Sequence, residues 1–415
     1  MSLTSVSGVN IVGAGLAGSL LAILLAQRGF KVSVYERRPD PRTATTDSGR
    51  SINLALASRG IRALELAGVY DRIKPLAITM RGRMVHEHDG SAELQSYGVR
   101  PEEVIYSVSR ADLNRVLIEA AAEFSNVQLR FGQLCLGLPQ EKHALVMRDE
   151  TNGRVYHAAA QPSIATDGAG SAVRDSLLAR EVSSVREEPL EHDYKELTVP
   201  AVDGRYALDP NALHIWPRGG FMLIALPNRD FTFTATLFLA RTGVNSFADL
   251  GSSAAVDAFF AREFPFAKAL MPDLAGEFLE HPQGSLGTVY TRGWHLNGDV
   301  LLLGDAAHAI VPFHGQGMNC AFEDCAELLR LMNEHHGWAG LFEAFEHERK
   351  PNTDAIAKMA LENYVEMREA VLDPEYRRKK KEAEESEMKD PNVIPRYSQV
   401  MFHPEIPYSV AFLGE

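Results

Sequence analysis

Cysteine is scarce in this sequence, with only Cys135, Cys320 and Cys325 among 415 residues. Their odd number and irregular spacing argue against a disulfide framework and against a zinc site. Few thiols and no sign of paired cysteines are typical of a reducing compartment, so we expect a cytoplasmic protein.

Excess basic charge and long apolar runs are missing as well. Lys and Arg number 42 against 55 Asp and Glu, a formal net charge of −13, which gives no support to nucleic-acid binding. No stretch reaches the roughly 18 apolar residues of a membrane-spanning helix. The N-terminal apolar segment alternates strand with helix, unlike a secretory signal. We therefore expect a globular protein with no membrane segment.

The strongest signal is a pair of glycine-rich turns far apart in the chain. The first, GAGLAG from Gly13 to Gly18, follows a short apolar run and opens a helical pattern over 16–28. Gly13 allows a tight bend, Gly15 lets the backbone approach a pyrophosphate, and Gly18 lets helix and strand pack closely. The unpaired N–H groups at such a helix N-terminus favour an anion.

An acidic residue completes this first pattern. The predicted strand 31–35 ends at Glu36, whose carboxylate suits a ribose diol and would repel a 2′-phosphate. Arg37, the next residue, either contacts phosphate or is solvated. The turn therefore predicts a site for an adenosine with a free 2′-hydroxyl.

The second turn, LLLGDAAH at 301–308, has the same strand-to-helix form. Asp305 either binds a ribityl hydroxyl or caps the helix, and the sequence leaves both open. Downstream, Gly315 and Gly317 free the backbone to approach a flat ring, and the positive end of the next helix suits the pyrimidine edge of a reduced flavin. Two such turns indicate a long cofactor held at both ends, and FAD fits better than NAD.

Between the turns the pattern changes from α/β to strand. Segment 231–239 alternates as a half-buried antiparallel strand, with 221–226 as its hairpin partner. The charged block 377–390 is either a basic patch for acidic lipid or nucleic acid, or a solvated helix end or linker; adjacent Lys and Glu favour the solvated interpretation. Helices are predicted over 54–66, 110–124 and 254–264, and through most of the chain from 341 onward.

These residues resemble those of a known family. The first turn with Glu36, the Asp167-Gly168 pair and Gly304-Asp305 resemble the single-component, FAD-dependent aromatic hydroxylases. More narrowly, the chain resembles the kynurenine 3-monooxygenase family in five strings that follow the family order: GRSINLAL at 49–56, MRGRMVH at 80–86, LHIWP at 213–217, PFHGQGMN at 312–319 and ENYVEM at 362–367.

Patterns and resemblance together predict an α/β fold (α+β overall) with three parts. These are a Rossmann-like FAD-binding domain, a substrate domain built on an antiparallel sheet, and a C-terminal helical region that covers the active site. The predicted boundaries are 1–75, 102–178 and 288–340 for the first, 76–101 and 179–287 for the second, and 341–415 for the third.

The resemblance also implies roles for individual residues. Arg83 and Tyr97 would hold a substrate carboxylate, and Asn363 and Tyr397 would complete the pocket. Its aromatic side would be shaped by Phe238, Pro312, Phe313, His314 and Met367. The turns and the resemblance together assign FAD contacts to Gly13, Gly15, Leu16, Ala17, Gly18, Glu36, Arg37, Ala55, Arg110, Leu134, Asp305, Gly317, Met318 and Asn319.

Reasoning from residue types alone leaves some of these roles open. A guanidinium fork suits a carboxylate, but Arg81 and Arg83 lie two apart on a predicted strand and share a face. His314 invites a general-acid or metal role. Because no partner histidine or carboxylate sits at ligand spacing, we predict no metal. Because a flavin would carry the chemistry, we also predict no side chain acting as acid, base or nucleophile.

The activity implied by the resemblance is hydroxylation of L-kynurenine to 3-hydroxykynurenine with NADPH and O2 through a flavin hydroperoxide, in tryptophan degradation. Without a second dinucleotide-binding βαβ unit, NADPH is expected to bind transiently at the FAD domain surface. Some family members carry a C-terminal membrane segment; this chain ends at Glu415, and we expect no anchor. Two alternatives remain: an FAD-dependent oxidoreductase acting on another aromatic acid, and a non-catalytic FAD-binding redox sensor.

Overall fold

The structure is a computed structural model that describes residues 3, 8–43, 53–139, 144–370, 373–390 and 392–414. Residues 49–52, which begin the first of the five strings above, lie outside the described residues. The strands are β1 (Val9–Val12), β2 (Val32–Glu36), β3 (Asn53–Leu56), β4 (Ile78–Met80), β5 (Gly82–His86), β6 (Ala92–Ser96), β7 (Ile105–Ser109), β8 (Val127–Phe131), β9 (Gln133–Gly137), β10 (Val146–Asp149), β11 (Val155–His157), β12 (Ser163–Ala165), β13 (Ser184–Val199), β14 (Ala212–Pro217), β15 (Met222–Pro227), β16 (Phe233–Ala240), β17 (Gly284–Arg292), β18 (His295–Leu296) and β19 (Val300–Leu302).

Helices cover these sheets and make up most of the C-terminal part. They are α1 (Leu16–Gln27), α2 (Ser58–Leu66), α3 (Tyr70–Ile73), α4 (Arg110–Ala122), α5 (Ala172–Ala179), α6 (Ser253–Glu263), α7 (Pro265–Lys268), α8 (Leu274–Glu280), α9 (Asp305–His308), α10 (Gly317–Leu331), α11 (Trp338–Arg368), α12 (Pro374–Lys389), α13 (Arg396–Phe402) and α14 (Tyr408–Leu413).

A six-stranded sheet carries both glycine turns. Its order is β18-β19-β12-β1-β2-β8, and all neighbours pair in parallel except the edge pair β18 and β19. The first turn follows β1 and the second follows β19, with β12 between them. Parallel strands present their carboxyl ends at one edge of a sheet, so residues far apart in sequence meet there. The α/β fold class predicted from the sequence is confirmed.

A seven-stranded sheet forms the second layer, in the order β17-β13-β16-β15-β14-β5-β6. It is antiparallel except for the pair of β14 and β5. The predicted hairpin is confirmed, with Met222 opposite Phe238 and Pro227 opposite Phe233. One face packs on α8, which α6 covers in turn, and the other packs on α11, which α14 covers in turn. That second face is the floor of the cavity described below.

The prediction of a helix over 54–66 is wrong about where the helix begins. Residues Asn53–Leu56 form β3, antiparallel to β7, and the helix α2 begins only at Ser58. Ala57 is extended, and its backbone N–H donates to the Asn319 side chain at 2.9 Å. A tertiary hydrogen bond thus overrides the local helical pattern at this point.

The charged block 377–390 lies mostly in the solvated helix α12. Its exposed charges pair along the helix, as in Arg378 with Glu382 at 2.5 Å, and Arg377 attaches it to Glu87 at 2.7 Å. Among the described residues, no helix combines the length and apolar character needed to cross a bilayer. The domain boundaries given above remain a prediction.

Candidate active site

A cavity of about 510 Å³ lies between the glycine turns and the floor of the seven-stranded sheet. This volume falls in the range of about 300–1,000 Å³ typical of small-molecule sites. Of the residues predicted above, the lining includes Gly15, Leu16, Ala17, Ala55, Arg83, Tyr97, Arg110, Phe238, Asp305, Pro312, Phe313, His314, Gly317, Met318, Met367 and Tyr397. The structure therefore brings most of the two predicted sets into one continuous space.

Two glycines of the first turn are required by close backbone packing. Gly13 has a φ of 95°, and a Cβ there would lie 2.6 Å from the carbonyl oxygen of Thr166. A Cβ on Gly18 would lie 2.0 Å from the carbonyl oxygen of Gly13. The hydroxyl of Thr166 secures the turn by donating to the carbonyls of Val12 and Gly13 at 2.8 and 3.0 Å.

Gly15 differs because it faces open space. No atom lies within 4 Å of a Cβ built there, and Gly15, Leu16 and Ala17 all line the cavity. With glycine as its N-cap, α1 has no side chain to satisfy its first N–H groups. Such a terminus fits a pyrophosphate, because free amides and the helix dipole both favour an anion.

Glu36 braces the first turn from the end of β2. One carboxylate oxygen accepts a hydrogen bond from the Ala14 backbone N–H at 2.8 Å, and the other accepts from the Arg38 N–H at 2.9 Å. Carboxylate oxygens accept more than one hydrogen bond, so these contacts are compatible with a ribose diol. The cavity lining does not include Gly13, Gly18, Glu36, Arg37, Leu134, Asn319 or Asn363 among the described residues.

Replacing Glu36 by alanine should weaken FAD retention. Loss of a charge-assisted hydrogen bond costs about 1.5–3 kcal/mol, roughly a 10- to 150-fold rise in Kd. FAD absorbance after extensive dialysis measures this loss. Glu65→Ala, an exposed carboxylate on α2, is the matched control. A Glu36→Ala protein that stays as yellow as the control after dialysis would remove Glu36 from the site.

Asp305 is the first residue of α9 and faces the cavity rather than capping the helix. Gly304, with a φ of 63°, is the N-cap, and no side-chain cap bond is made. Surrounding protein raises the pKa of Asp305 by desolvation, although the charges of His308 and Arg110 partly offset this. A desolvated carboxylate beside Arg110 in a cavity wall suits a hydrogen-bonding role toward a ligand hydroxyl.

The segment after α9 forms a second backbone wall. Pro312–His314 is a short 3-10 helix, and α10 begins at Gly317 with no side-chain cap bond. Asn319 holds this wall from outside the lining, because its Nδ2 donates to the carbonyls of Ala55 and Gly315, both at 2.8 Å. Gly317 and Met318, the first residues of α10, line the cavity. The N-terminus of this helix is therefore open toward the cavity, where its positive end suits the pyrimidine edge of a flavin.

Arg83 dominates the polar end of the cavity. It is only 6% exposed, whereas Arg81, outside the strand β5, is exposed. The structure thus shows which of the two arginines reaches the cavity, a choice that their spacing in the sequence left open. The Arg83 guanidinium donates to Asn363 Oδ1 at 3.3 Å and pairs with Glu366 Oε1 at 3.2 Å. Desolvation by burial would lower the pKa of Arg83, but its interactions with Tyr397, Glu366 and Tyr97 raise this pKa above the ordinary value.

Two tyrosines and a histidine stack beside Arg83. The ring centroids of Tyr97 and Tyr397 are 5.9 Å apart, and those of His314 and Tyr397 are 5.5 Å apart. The Tyr97 hydroxyl and the His314 Nδ1 are buried without a hydrogen-bond partner among the described residues. Burial lowers the pKa of His314 to about 4. At neutral pH His314 is therefore uncharged, and the charges at this end are those of the Arg83–Glu366 ion pair.

Aromatic side chains form the remaining wall. The rings of Phe238 and Phe313 meet edge to face with centroids 4.9 Å apart, and Phe313 stacks on Tyr364 at 4.0 Å. Asn363 links this wall to Arg83 because its Nδ2 donates to the Phe313 carbonyl at 2.6 Å. The part of the cavity between these rings and Arg83 is called the slot below; it is lined by Phe238 and Phe313 and has the Arg83 guanidinium at one end.

Sequence reasoning missed several residues that shape the site. Glu366 and Met367 follow Asn363 by three and four residues on a helix. This spacing brings side chains close together and could have indicated that Glu366 lies near the site. Asn53 and Thr166 also line the cavity. Asn53 belongs to the string 49–56, but neither Asn53 nor Thr166 was given a role, since both bond to segments distant in the sequence.

A buried cluster behind the second turn has metal-ligand residue types. Ligand atoms of His308, Cys320 and Asp324 lie within 4.8 Å of one another. Asp324 is already engaged, because it accepts from His308 at 2.6 Å, Arg349 at 2.7 Å and the Gly304 N–H at 3.1 Å. The cluster is best described as a buried hydrogen-bonded ion network.

The fold is that of an FAD-binding protein, with one cavity between the glycine turns and the seven-stranded sheet. The family model for the FAD binding domain matches residues 6–360. The chain is 47% identical to the kynurenine 3-monooxygenase of Stenotrophomonas maltophilia (strain K279a) over 396 residues, 95% of this chain and 87% of that protein. It is also 47% identical to that of Myxococcus xanthus (strain DK1622) over 406 residues, 97% and 87% of the two chains.

The chain therefore belongs to the kynurenine 3-monooxygenase family. A solved structure of 2-methyl-3-hydroxypyridine-5-carboxylic acid oxygenase superposes with a TM-score of 0.71 at 20% identity, covering 97% of this chain and 98% of that one. This likeness shows that the fold is shared.

Proposed function

We propose that this chain hydroxylates L-kynurenine to 3-hydroxykynurenine, consuming NADPH, a proton and O2 and releasing NADP⁺ and water. One observation supports the proposal: the buried Arg83 and the rings of Phe238 and Phe313 line the same cavity as the two glycine turns. Kynurenine combines an amino-acid carboxylate with an aromatic amino ketone, so it matches a cation and a slot. The family relationship supports the same substrate.

When bound, FAD would supply the redox chemistry, namely hydride acceptance from NADPH and activation of O2. The protein contributes position. Arg83 holds the carboxylate, the Tyr97 hydroxyl offers a further hydrogen bond, and Phe238 and Phe313 hold the ring flat. Holding two reactants in a productive geometry accelerates their reaction strongly. A slot buried under α11 and α13 also excludes water, which otherwise diverts activated oxygen to peroxide.

The residues present fit FAD. Uncapped N-termini of α1 and α10 open into the cavity, Asp305 and Arg110 line it, and the open space at Gly15 accepts a ligand close to the backbone. The adenosine end would be held by Glu36, and the pyrophosphate by the amides of Leu16 and Ala17. NADPH would bind transiently.

The test is NADPH oxidation in air with and without L-kynurenine, with the product analysed by mass spectrometry. We expect substrate-stimulated oxidation and a product heavier by one oxygen atom, with 18O incorporated from labelled O2. Peroxide without added oxygen would mean that kynurenine is merely an effector. No stimulation at all would favour the redox-sensor alternative, and stimulation by a different aromatic acid alone would favour another oxidoreductase.

A further inference from the structure

The side chain of Gln316 joins the wall 312–317 to the C-terminal helices α13 and α14. Pro312, Phe313, His314, Gly315 and Gly317 all line the cavity, whereas Gln316 does not. Gln316 has no exposed surface. Its Oε1 accepts from the Tyr408 hydroxyl at 2.7 Å, and its Nε2 contacts the Met401 sulfur at 3.0 Å. The side chain between the two cavity-lining glycines thus points into the C-terminal helices.

Tyr408 is itself firmly held at the start of α14. It is fully buried, and the guanidinium carbon of Arg59 lies 3.9 Å from its ring centroid. Arg59, on α2, donates to the carbonyls of Val400, His403 and Ile406. It also pairs with Glu323 on α10. The corner between α13 and α14 is therefore clamped to the helix that begins at the cavity.

Glycine on both sides of Gln316 makes this anchor important. Gly315 has a φ of 67°, and glycines give the backbone more freedom than any other residue. Among the described residues, the Asn319 amide restrains the carbonyl of Gly315. The segment Gly315–Gly317 has a single side chain, that of Gln316, and the Tyr408 and Met401 contacts restrain it. A displacement of about 1 Å at such a wall is enough to cost roughly 100-fold in rate.

We propose that Tyr408 is a positioning residue that acts through Gln316. It sets the distance of the wall 312–317 from the flavin ring and from the substrate ring, although it touches neither. The inference rests on the proposed hydroxylation. Through this contact, the C-terminal helix α14 controls how efficiently NADPH oxidation is coupled to hydroxylation.

Tyr408→Phe tests this because it keeps the ring over Arg59 and removes only the hydroxyl. The matched control is Tyr156→Phe, whose hydroxyl donates to Gln133 Oε1 at 2.6 Å in the sheet of β9, β10 and β11. Both changes break a tyrosine–glutamine hydrogen bond, but only one of these bonds reaches the cavity wall.

We expect Tyr408→Phe to raise the ratio of peroxide to hydroxylated product by roughly tenfold, in line with a small misplacement, with the KM for kynurenine changed less than about twofold. Hydrogen exchange of the amides 313–319 in the FAD-free protein should also accelerate, since a lost restraint increases local opening. Tyr156→Phe should leave both measurements at wild-type values. A lowered melting temperature with an unchanged ratio would mean a purely structural role and would overturn the proposal.

Gln316→Met provides a second route if Tyr408→Phe does not fold. It removes the acceptor while keeping a similar shape, and it should give the same rise in peroxide. The double variant should be no worse than either single variant, because both break one interaction; additive effects would contradict the inference. Wild-type enzyme assayed in parallel separates the two hypotheses: if it makes no hydroxylated product, the proposed function fails, not the positioning role alone.

Discussion

Replacing Arg83 by alanine will weaken L-kynurenine binding by about 2–4 kcal/mol, a roughly 30- to 700-fold rise in Kd. Arg83 is buried, charged and directed into the slot, so its loss removes the cation that pairs with the substrate carboxylate. It also leaves Glu366 without its ion-pair partner at 3.2 Å, and that negative charge would then face the carboxylate.

The measurement is a titration of the holoenzyme with kynurenine, followed by flavin absorbance. FAD content should stay at the wild-type level, because Arg83 lies on β5, away from the glycine turns. Arg83→Lys should lie between wild type and alanine, since lysine keeps the charge but not the two-pronged fork. Arg81→Ala is the matched control, two residues away but exposed. Equal affinities of the Arg83→Ala and Arg81→Ala proteins would exclude Arg83 from the site.

Asp324→Asn should lower the free energy of unfolding by about 3–5 kcal/mol, the usual cost of breaking a buried ion pair on one side. Asp324 has no exposed side-chain surface and connects Arg349, His308 and the Gly304 N–H. Burial alone would raise its pKa, but the charges of His308 and Arg349 hold it below its ordinary value. The asparagine keeps the shape and loses the charge, so the Arg349 cation loses one of its two carboxylate partners.

Urea unfolding of the holoenzyme measures this loss. Asp257→Asn is the control, because Asp257 pairs with Lys268 at 2.8 Å on the surface and such pairs contribute at most about 1 kcal/mol. Since Asp324 supports Gly304, FAD affinity should fall together with stability. A stability loss no larger than that of the control would contradict the view that this network holds the second turn.

Local signals in the sequence were sufficient for the cofactor side of the site. A glycine turn between strand and helix, with an acid at the end of the next strand, has the same geometry wherever it occurs. The strand-to-helix turns at Gly13 and Gly304 and the place of Glu36 at the end of β2 could therefore be predicted from neighbouring residues alone, whereas the FAD contacts of Glu36 and Asp305 stay predictions. The hairpin of β15 and β16 was also readable, because side chains alternate along a half-buried strand.

Contacts between segments that are distant in the sequence could not be predicted from these local patterns. The break between β3 and α2 depends on a hydrogen bond from Ala57 to Asn319, and no local pattern contains it. Arg81 and Arg83 are equivalent by spacing, and only the docking of α11 against β5 buries one and leaves the other exposed.

By itself, then, the sequence determined the FAD-binding turns, the alternation of the substrate sheet and the family to which the chain belongs. The tertiary structure alone decided which arginine enters the slot, which side chains line it, and how Tyr408 reaches Gln316. The physical reason is the distance along the sequence over which each kind of interaction acts. Strand, turn and helix signals arise from neighbouring residues, whereas burial and long-range hydrogen bonds exist only after the sheets and helices have packed.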